Sequence, residues 1–559
     1  MQKRIANSKK KNIIWFYTFI AMGFIFIFIN ACNEGVPDQI DDLIDSDALT
    51  TVDRTIIPVA VPATSPEIFP YEVAKYSEYG YGVWQYGAGL PYEKRTDLMP
   101  ANYNAASAVN TARLLNFFAI TDIHIMDEET PAQAIYFGYK GNNPSAYSST
   151  MLYTTQVLDV AIRTVNALNR KKQFDFGISL GDNSNSNQYN ELRWFIDVLD
   201  GKIINPDSGA DDDPVPGANN DYQDEFKAEG LDGSIPWYQV LGNHDHLFVG
   251  TMPANNYIQQ TYISEEIINM GDPFELGGSG FYMGAINGRT IYGDIFGAGP
   301  VGDFSSPPKV PAADYSRHYI SKEEWKSELF NSSTNPAGHG FSQQSNVFGC
   351  YTFMPKANLP IKVIVLDDTP RDDELYVLEH GYIDDERLNW LVSELDKGQT
   401  EGQLMIIAAH IPLSLIGYTG HSPVSATDLI TKLHNYPNLM LWIAGHVHRN
   451  KVTVFKSPDD TKPELGFWQV ETSSLRDYPQ QFRTLEIVRN SDNTISIFAT
   501  NVDPAMKEGS LAAKSRSYDI AIFQIMKLPM DNASYNAELV KPLSAEMQIK
   551  IQNYGTAIR

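Results

Sequence analysis

The chain has 559 residues, 43% of them hydrophobic, with 68 acidic against 43 basic side chains and a formal net charge of −25. That length exceeds one ordinary domain and affords a sizeable core, while the acidic balance excludes a nucleic-acid surface, which needs a basic stripe to displace counterions. No Lys/Arg cluster stands beside the apolar strands discussed below, so an anionic substrate would need another positive centre, for which bound metal is the natural source.

Residues 1–32 form a segment of their own. Lys3, Arg4, Lys9, Lys10 and Lys11 precede an apolar run from Ile13 to Ile29, and Asn30, Ala31 and Cys32 follow it. This resembles a bacterial lipoprotein signal peptide. The resemblance implies a lipidated Cys32 at the mature N-terminus and an exported, membrane-anchored protein of the bacterial cell envelope, periplasmic or surface-exposed. An uncleaved anchor is the competing reading, since the run approaches the length of a span. The only other cysteine is Cys350, so no disulfide framework exists and Cys350 is expected as a buried thiol. Residues 33–111 read as an acidic tether to about Pro70 and then an aromatic arm with Tyr71, Tyr76, Tyr79, Tyr81, Trp84, Tyr86 and Tyr92. Packing of that arm over the catalytic domain is expected in preference to a stacking wall for a sugar or base.

From 112 to about 505 apolar strands alternate with helical patterns. Strand Leu114–Ile125 leads to helix Met151–Arg170, strand Phe174–Leu180, helix Tyr189–Leu199 and the short strand at Trp237. The pattern resumes with strand Ile361–Leu366, helix Asp384–Leu395 with Asp384 as N-cap, strand Leu404–Ala409, helix Ala426–His434 and strand Asn438–Ala444. Later segments, LGFWQVET, RTLEIVR and TISIFAT, alternate like antiparallel strands and predict a second sheet packed on the first. Insertions lie near 206–234 and 247–359, and residues 506–559 form a C-terminal extension. Asp207, Asp211, Asp212 and Asp213 in the first insertion lack the spacing of a calcium loop, so a solvated loop is expected there. The second insertion, rich in Gly and Pro, reads as pocket wall, lid or filler.

Five apolar strands end in potential metal ligands. FFAITDIH ends on Asp122 and His124, FDFGISLGDN on Asp182 and Asn183, WYQVLGNHD on Asn243, His244 and Asp245, LMIIAAH on His410, and LMLWIAGHVH on His446 and His448. The carboxyl ends of strands in an open α/β sheet share one edge, where such residues would converge. In order, these motifs resemble those of the calcineurin-like metallophosphoesterase superfamily. The resemblance implies a four-layer α/β sandwich of two mixed β-sheets flanked by helices, and a dinuclear site for two divalent metal ions. By the family pattern Asp122, His124 and His448 would hold one metal, Asn243, His410 and His446 the other, and Asp182 would bridge them, with a hydroxide shared between the metals as nucleophile. His244, beside a ligand but assigned to neither metal, would protonate the leaving oxygen, with Asp245 orienting its ring. Imidazole and carboxylate donors without thiolate suit Mn, Fe, Zn or Co. Asn185 stands where purple acid phosphatases carry a tyrosine ligand, which argues against a tyrosinate–iron centre. Arg476 and Arg483 in ETSSLRDYPQQFRTLEI are expected as surface structure. The function implied is hydrolysis of a small-molecule phosphate monoester or diester. A dinuclear hydrolase of non-phosphate esters and a non-catalytic metal-bearing scaffold are the alternatives.

Overall fold

Strands covered on both faces read as unbroken apolar runs, and the four strands Ile361–Val365, Leu404–Ala408, Leu439–Ala444 and Phe467–Glu471 are buried at every position. They pair in parallel, in that order, at the centre of a six-stranded sheet, with Tyr351–Phe353 and Lys451–Phe455 as antiparallel edges. Each fully buried Leu or Ile side chain in them contributes roughly 1.5–3 kcal/mol to stability. The computed structural model that carries these details describes residues 48–106, 108–139, 143–271, 280–342, 347–372, 380–418, 422–530 and 535–558. The expected signal peptide, Cys32 and the first part of the tether lie outside them. Among the described residues no helix is long and apolar enough to cross a membrane.

A second sheet has eight strands. Its order is Glu93–Arg95, Ala537–Lys541, Ile495–Val502, Phe482–Asn490, Asn110–Ile120, Phe176–Ser179 and Trp237–Gln239, with Thr556–Ala557 pairing beside Asn110–Ile120. The last three in that order run parallel, whereas Phe482–Asn490 joins Asn110–Ile120 antiparallel. The two sheets face one another across a shared core that includes Phe117, Ile178, Leu485, Val363, Ile406 and Leu441. Helices Asp385–Thr400 and Ala426–Leu433 cover the far side of the six-stranded sheet. Helix Thr154–Lys171 packs on the eight-stranded one through Leu158, Ala161, Ile162 and Val165, a spacing of three and four that makes one apolar stripe. The result is a four-layer α/β sandwich of two mixed sheets flanked by helices.

The late segments divide between the sheets instead of forming one of their own. LGFWQVET supplies a parallel strand beside Leu439–Ala444, while RTLEIVR and TISIFAT extend the eight-stranded sheet beside Asn110–Ile120. Alternation reveals a strand with two unlike faces but not its neighbour. The aromatic arm lies against the C-terminal helix Leu511–Ile525: Tyr76 meets Tyr518 edge to face at 5.6 Å, and Trp84 Nε1 donates to Ser517 Oγ at 3.2 Å. Within the second insertion are helix Asn256–Ile263, a hairpin of Phe281–Asn287 with Asp294–Pro300, and helix Lys322–Leu329 closed by a Ser321/Glu324 capping box. Cys350 is buried, its sulfur accepting from Asp367 N.

Candidate metal centre

The five ligand-bearing loops leave the carboxyl ends of strands in two sheets, not one. Asp122, Asp182 and Asn243 follow strands of the eight-stranded sheet, and His410 and His446 follow strands of the six-stranded one, so the residues meet at the seam between layers. Backbone bonds tie the loops together: Asp122 N donates to Gly181 O, His124 N to Asp182 O, and Gly445 N to His410 O, all at 2.9–3.0 Å. The approach is close enough to require glycine. A Cβ on Gly242 would sit 2.1 Å from Asp182 N, and one on Gly445 would sit 2.0 Å from Thr121 Oγ1 and 2.5 Å from Asp122 Oδ2.

Asp122, His124, Asp182, His446 and His448 all have left-handed backbones, with φ of 50°, 47°, 54°, 69° and 55°. Such conformations cost on the order of 1 kcal/mol or more each outside glycine, and they concentrate at functional sites because the surrounding structure enforces them. Here they swing each side chain back toward a common centre. One atom each of Asp122, His124 and His448 lie within 4.8 Å of one another, and so do those of Asp182, His410 and His446. Asp182 Oδ2 is 3.2 Å from His410 Nε2 and 3.9 Å from His124 Nε2, which places one carboxylate oxygen between the two groups.

The donor atoms suit divalent metal. His410 Nδ1 donates to Leu180 O at 2.8 Å, which leaves its buried Nε2 as a lone pair without a hydrogen-bond donor. Asn243 Nδ2 donates to Gly250 O at 2.9 Å, and its Oδ1 is buried and unpartnered. His448 Nδ1 bonds Asp477 Oδ2 at 2.6 Å, so its Nε2 faces Asp122 Oδ1 and His124 Nε2, both at 3.2 Å. Imidazoles whose far nitrogen is fixed by a carbonyl or carboxylate are oriented as metal-binding histidines are. With protons as the only cations, burial works against charge on His410 and His448. The carboxylates of Asp182 and Asp122 outweigh it and hold both rings at about 10. Burial, followed by the neighbouring His244, keeps His124 well below the usual histidine range.

His244 lies in the same cleft. Its backbone N donates to Asp182 Oδ1 at 2.8 Å, and its Nδ1 bonds the Asn185 carbonyl at 2.5 Å, leaving Nε2 to exchange protons. The ring stands edge to face with His124 at 4.5 Å, within ligand reach of the His124–Asp182 pair. The expectation that Asp245 orients this ring is corrected. Asp245 Oδ2 accepts from Gly242 N and Asp182 N at 2.9 and 3.1 Å, and Oδ1 from Asn183 N at 2.9 Å. It holds the Gly181 and Gly242 loops in register, and the ring is oriented by a backbone carbonyl. Asp245→Asn therefore faces an NH2 donor against backbone N–H donors whichever way the amide turns. A loss of about 3 kcal/mol is expected from the donors left unpaired, read by chemical denaturation; a stability equal to wild type would contradict this role.

Several contributors were not anticipated. Asp477 supports His448, Thr121 Oγ1 donates to Asp122 Oδ2 at 2.7 Å, and Asp368 accepts from His410 N and Ile411 N at 3.2 and 3.0 Å. Asp368 had a signal: it follows the strand IKVIVL just as the ligands follow theirs. Arg476 and Arg483, expected at the surface, are 2% and 0% exposed. Arg476 donates to Pro144 O at 2.8 Å, and Arg483 to Asn450 Oδ1 at 2.8 Å. The centre opens into a cleft of about 950 Å³ with Arg449 and Lys451 on its rim and Phe137, Leu415, Phe523 and Leu528 among its apolar walls. Both closely follow His448 in the sequence, Arg449 next to it and Lys451 two residues further on, a signal that could have found them.

A family model described as calcineurin-like phosphoesterase matches residues 115–450, more than half of the chain. No curated protein matches significantly. Among solved structures, the chain is similar to a dimetal phosphatase from Danio rerio, at 12% identity and a TM-score of 0.36 over 69% of this chain and 96% of that one. It is also similar to GAP50, the anchor in the inner membrane complex of Plasmodium, at 12% identity and a TM-score of 0.30 over 71% of this chain and 87% of that one. A third likeness is to the sulfate thiohydrolase SoxB of Thermus thermophilus in complex with glycerol, at 11% identity and a TM-score of 0.29 over 73% of this chain and 60% of that one.

Proposed function

The chain belongs to the calcineurin-like phosphoesterase family, and from that premise we propose that it is a metal-dependent hydrolase of small-molecule phosphate monoesters or diesters. The observation that carries the reading is Asp182, one oxygen of which lies between the His410 and His124 sides of the centre. Asp122, His124 and His448 would hold one divalent ion, Asn243, His410 and His446 the other, with Asp182 shared. Such a pair supplies positive charge that acidifies a water between the ions and polarises the phosphoryl oxygens. His244, anchored through Nδ1, delivers a proton from Nε2 to the departing oxygen. Arg449 at the rim receives remaining phosphate charge, and the apolar walls accept the organic part of the ester.

The test is a screen of phosphate monoesters and diesters against thioesters and lactones, with Mn, Zn or Fe added. Turnover of a phosphate ester that chelation abolishes supports the reading. Turnover confined to thioesters or lactones would favour a non-phosphate hydrolase, and ligand binding without any turnover a scaffold. The reading also includes export and lipidation at Cys32, supported by the basic–apolar–cysteine order of residues 3–32. Several acyl chains on one cysteine anchor firmly where a single chain does not. Cys32→Ser is expected to release or mis-process the protein, as read by membrane fractionation and electrophoretic mobility; behaviour identical to wild type would refute the anchor.

A further inference from the structure

The acidic insertion, expected to be a solvated loop, is in part buried: Asp221, Tyr222 and Gln223 are 1%, 0% and 3% exposed. Tyr222 is fastened by its hydroxyl, which donates to Thr290 O at 2.8 Å in the turn of the neighbouring hairpin. Beside it, one oxygen each of Glu129, Asp207 and Asp212 lie within 4.8 Å of one another. Glu129 is 1% exposed, and neither of its carboxylate oxygens has a hydrogen-bond partner; Asp207 Oδ1 and Asp212 Oδ1 are likewise buried and unpartnered.

An acidic cluster alone says little, but Gln223 points into this one. Both its amide atoms are buried without a partner. A Cβ built on Gly288 would lie 2.5 Å from Asp212 Oδ1, 2.5 Å from Gln223 Nε2 and 2.7 Å from Glu129 Oε1, so the three side chains converge on one spot against the Gly288 backbone. Amide oxygen and nitrogen are interchangeable by a turn of the group, and turned over Gln223 presents an oxygen. The adjacent trio Asp213, Asp221 and Asp224 differs: its carboxylates accept from the backbone amides of Val215, Gln223 and Asp221 and are satisfied without an ion. Buried unpaired carboxylates are costly unless a cation or proton neutralises them. Nearby positive charge is already engaged. Arg317 is bound to Asp127 at 3.1 Å, and Arg289, exposed, reaches only the outer oxygen of Asp212.

We propose that Glu129, Asp207, Asp212 and Gln223 form a binding site for one calcium ion, separate from the dinuclear centre, which clamps the acidic insertion onto the loop following His124. An all-oxygen donor set with three carboxylates suits a hard divalent cation, and donors drawn from separate loops suit the flexible coordination of calcium better than the strict octahedron of magnesium. Without an ion, burial and then the surrounding acids hold Glu129 at about 9, and partial burial raises Asp207 to about 7.

Calcium chloride titrated calorimetrically into the protein, its dinuclear centre first saturated with zinc or manganese, is expected to fill one site per chain. Glu129→Gln should weaken that step by at least about tenfold, because ligand charge sets calcium affinity, while Asp122→Asn leaves it unchanged. Thermal denaturation gives an independent sign. In calcium-free buffer Glu129→Gln should melt as high as wild type or higher, because glutamine is neutral without the proton that Glu129 must take up there on folding, and with calcium the order should reverse. If Glu129→Gln does not fold, Asp212→Asn takes its place in both measurements. The site is overturned by the absence of a calcium step, by a step that survives both variants or is lost in Asp122→Asn, or by a variant that melts above wild type with and without calcium. Preferential uptake of magnesium would overturn the assignment to calcium.

Discussion

Asp182→Asn is expected to lose metal from both halves of the centre and, with it, nearly all turnover. The side chain is 2% exposed, and each oxygen is committed: Oδ1 accepts from His244 N at 2.8 Å, and Oδ2 faces His410 and, farther off, His124. Asparagine keeps the volume but removes the charge that holds two cations together, and its NH2 must oppose either a backbone donor or a metal. Loss of several kcal/mol of transition-state stabilisation corresponds to a fall of roughly 10³-fold or more. Asp122→Asn touches only one group of ligands and should chiefly empty one position. Elemental analysis of metal per chain beside turnover checks both variants; two ions retained in Asp182→Asn would contradict the shared position.

His244→Ala separates chemistry from metal binding. Because Nδ1 is held by the Asn185 carbonyl, removing the ring deletes a proton donor without unpairing a charged partner. The fold and both metals should persist while turnover falls by roughly 10²- to 10⁴-fold, the range of general acids. The loss should follow the leaving group: an alkyl alcohol needs the proton in the transition state, whereas a nitrophenolate departs without it, so the aryl ester suffers less. Equal losses on both with metals intact would assign His244 to phosphoryl charge. Loss of one metal would make it a ligand, which its closeness to His124 and Asp182 permits.

What the sequence disclosed and what it concealed divide along physical lines. Strand ends were legible because burial on both faces leaves an apolar run that stops where the chain must turn, and Gly181, Gly242 and Gly445 mark those turns. The helix from Asp385 was legible through its cap, Asp384 accepting from Arg387 N. Side-chain direction after the turn was not. His244 and Asp245 are adjacent in sequence, yet the first faces the cleft and the second the backbone of the Gly181 loop, in a turn where Leu247 N donates to Asn243 O. Arg483 was misplaced for a related reason: the segment that covers it, from Tyr535 into Ala537–Lys541, comes from the far end of the chain. The basic rim of Arg449 and Lys451, by contrast, was within reach of the sequence, since both closely follow His448.

The placement of ligands on two facing sheets bears on how the protein is made. The first expected ligand stands at position 122 and the last at 448, with Asp477 needed behind it. A chain still emerging from the ribosome therefore cannot complete the centre until almost its whole length is out, and the Phe482–Asn490 strand, which zips to Asn110–Ile120, arrives later still. Folding dominated by such distant pairings is slow and leaves strand edges exposed meanwhile. An ion that needs donors from both sheets could be held in full only once that pairing is made, as a seal on a finished scaffold and not as a template around which it forms.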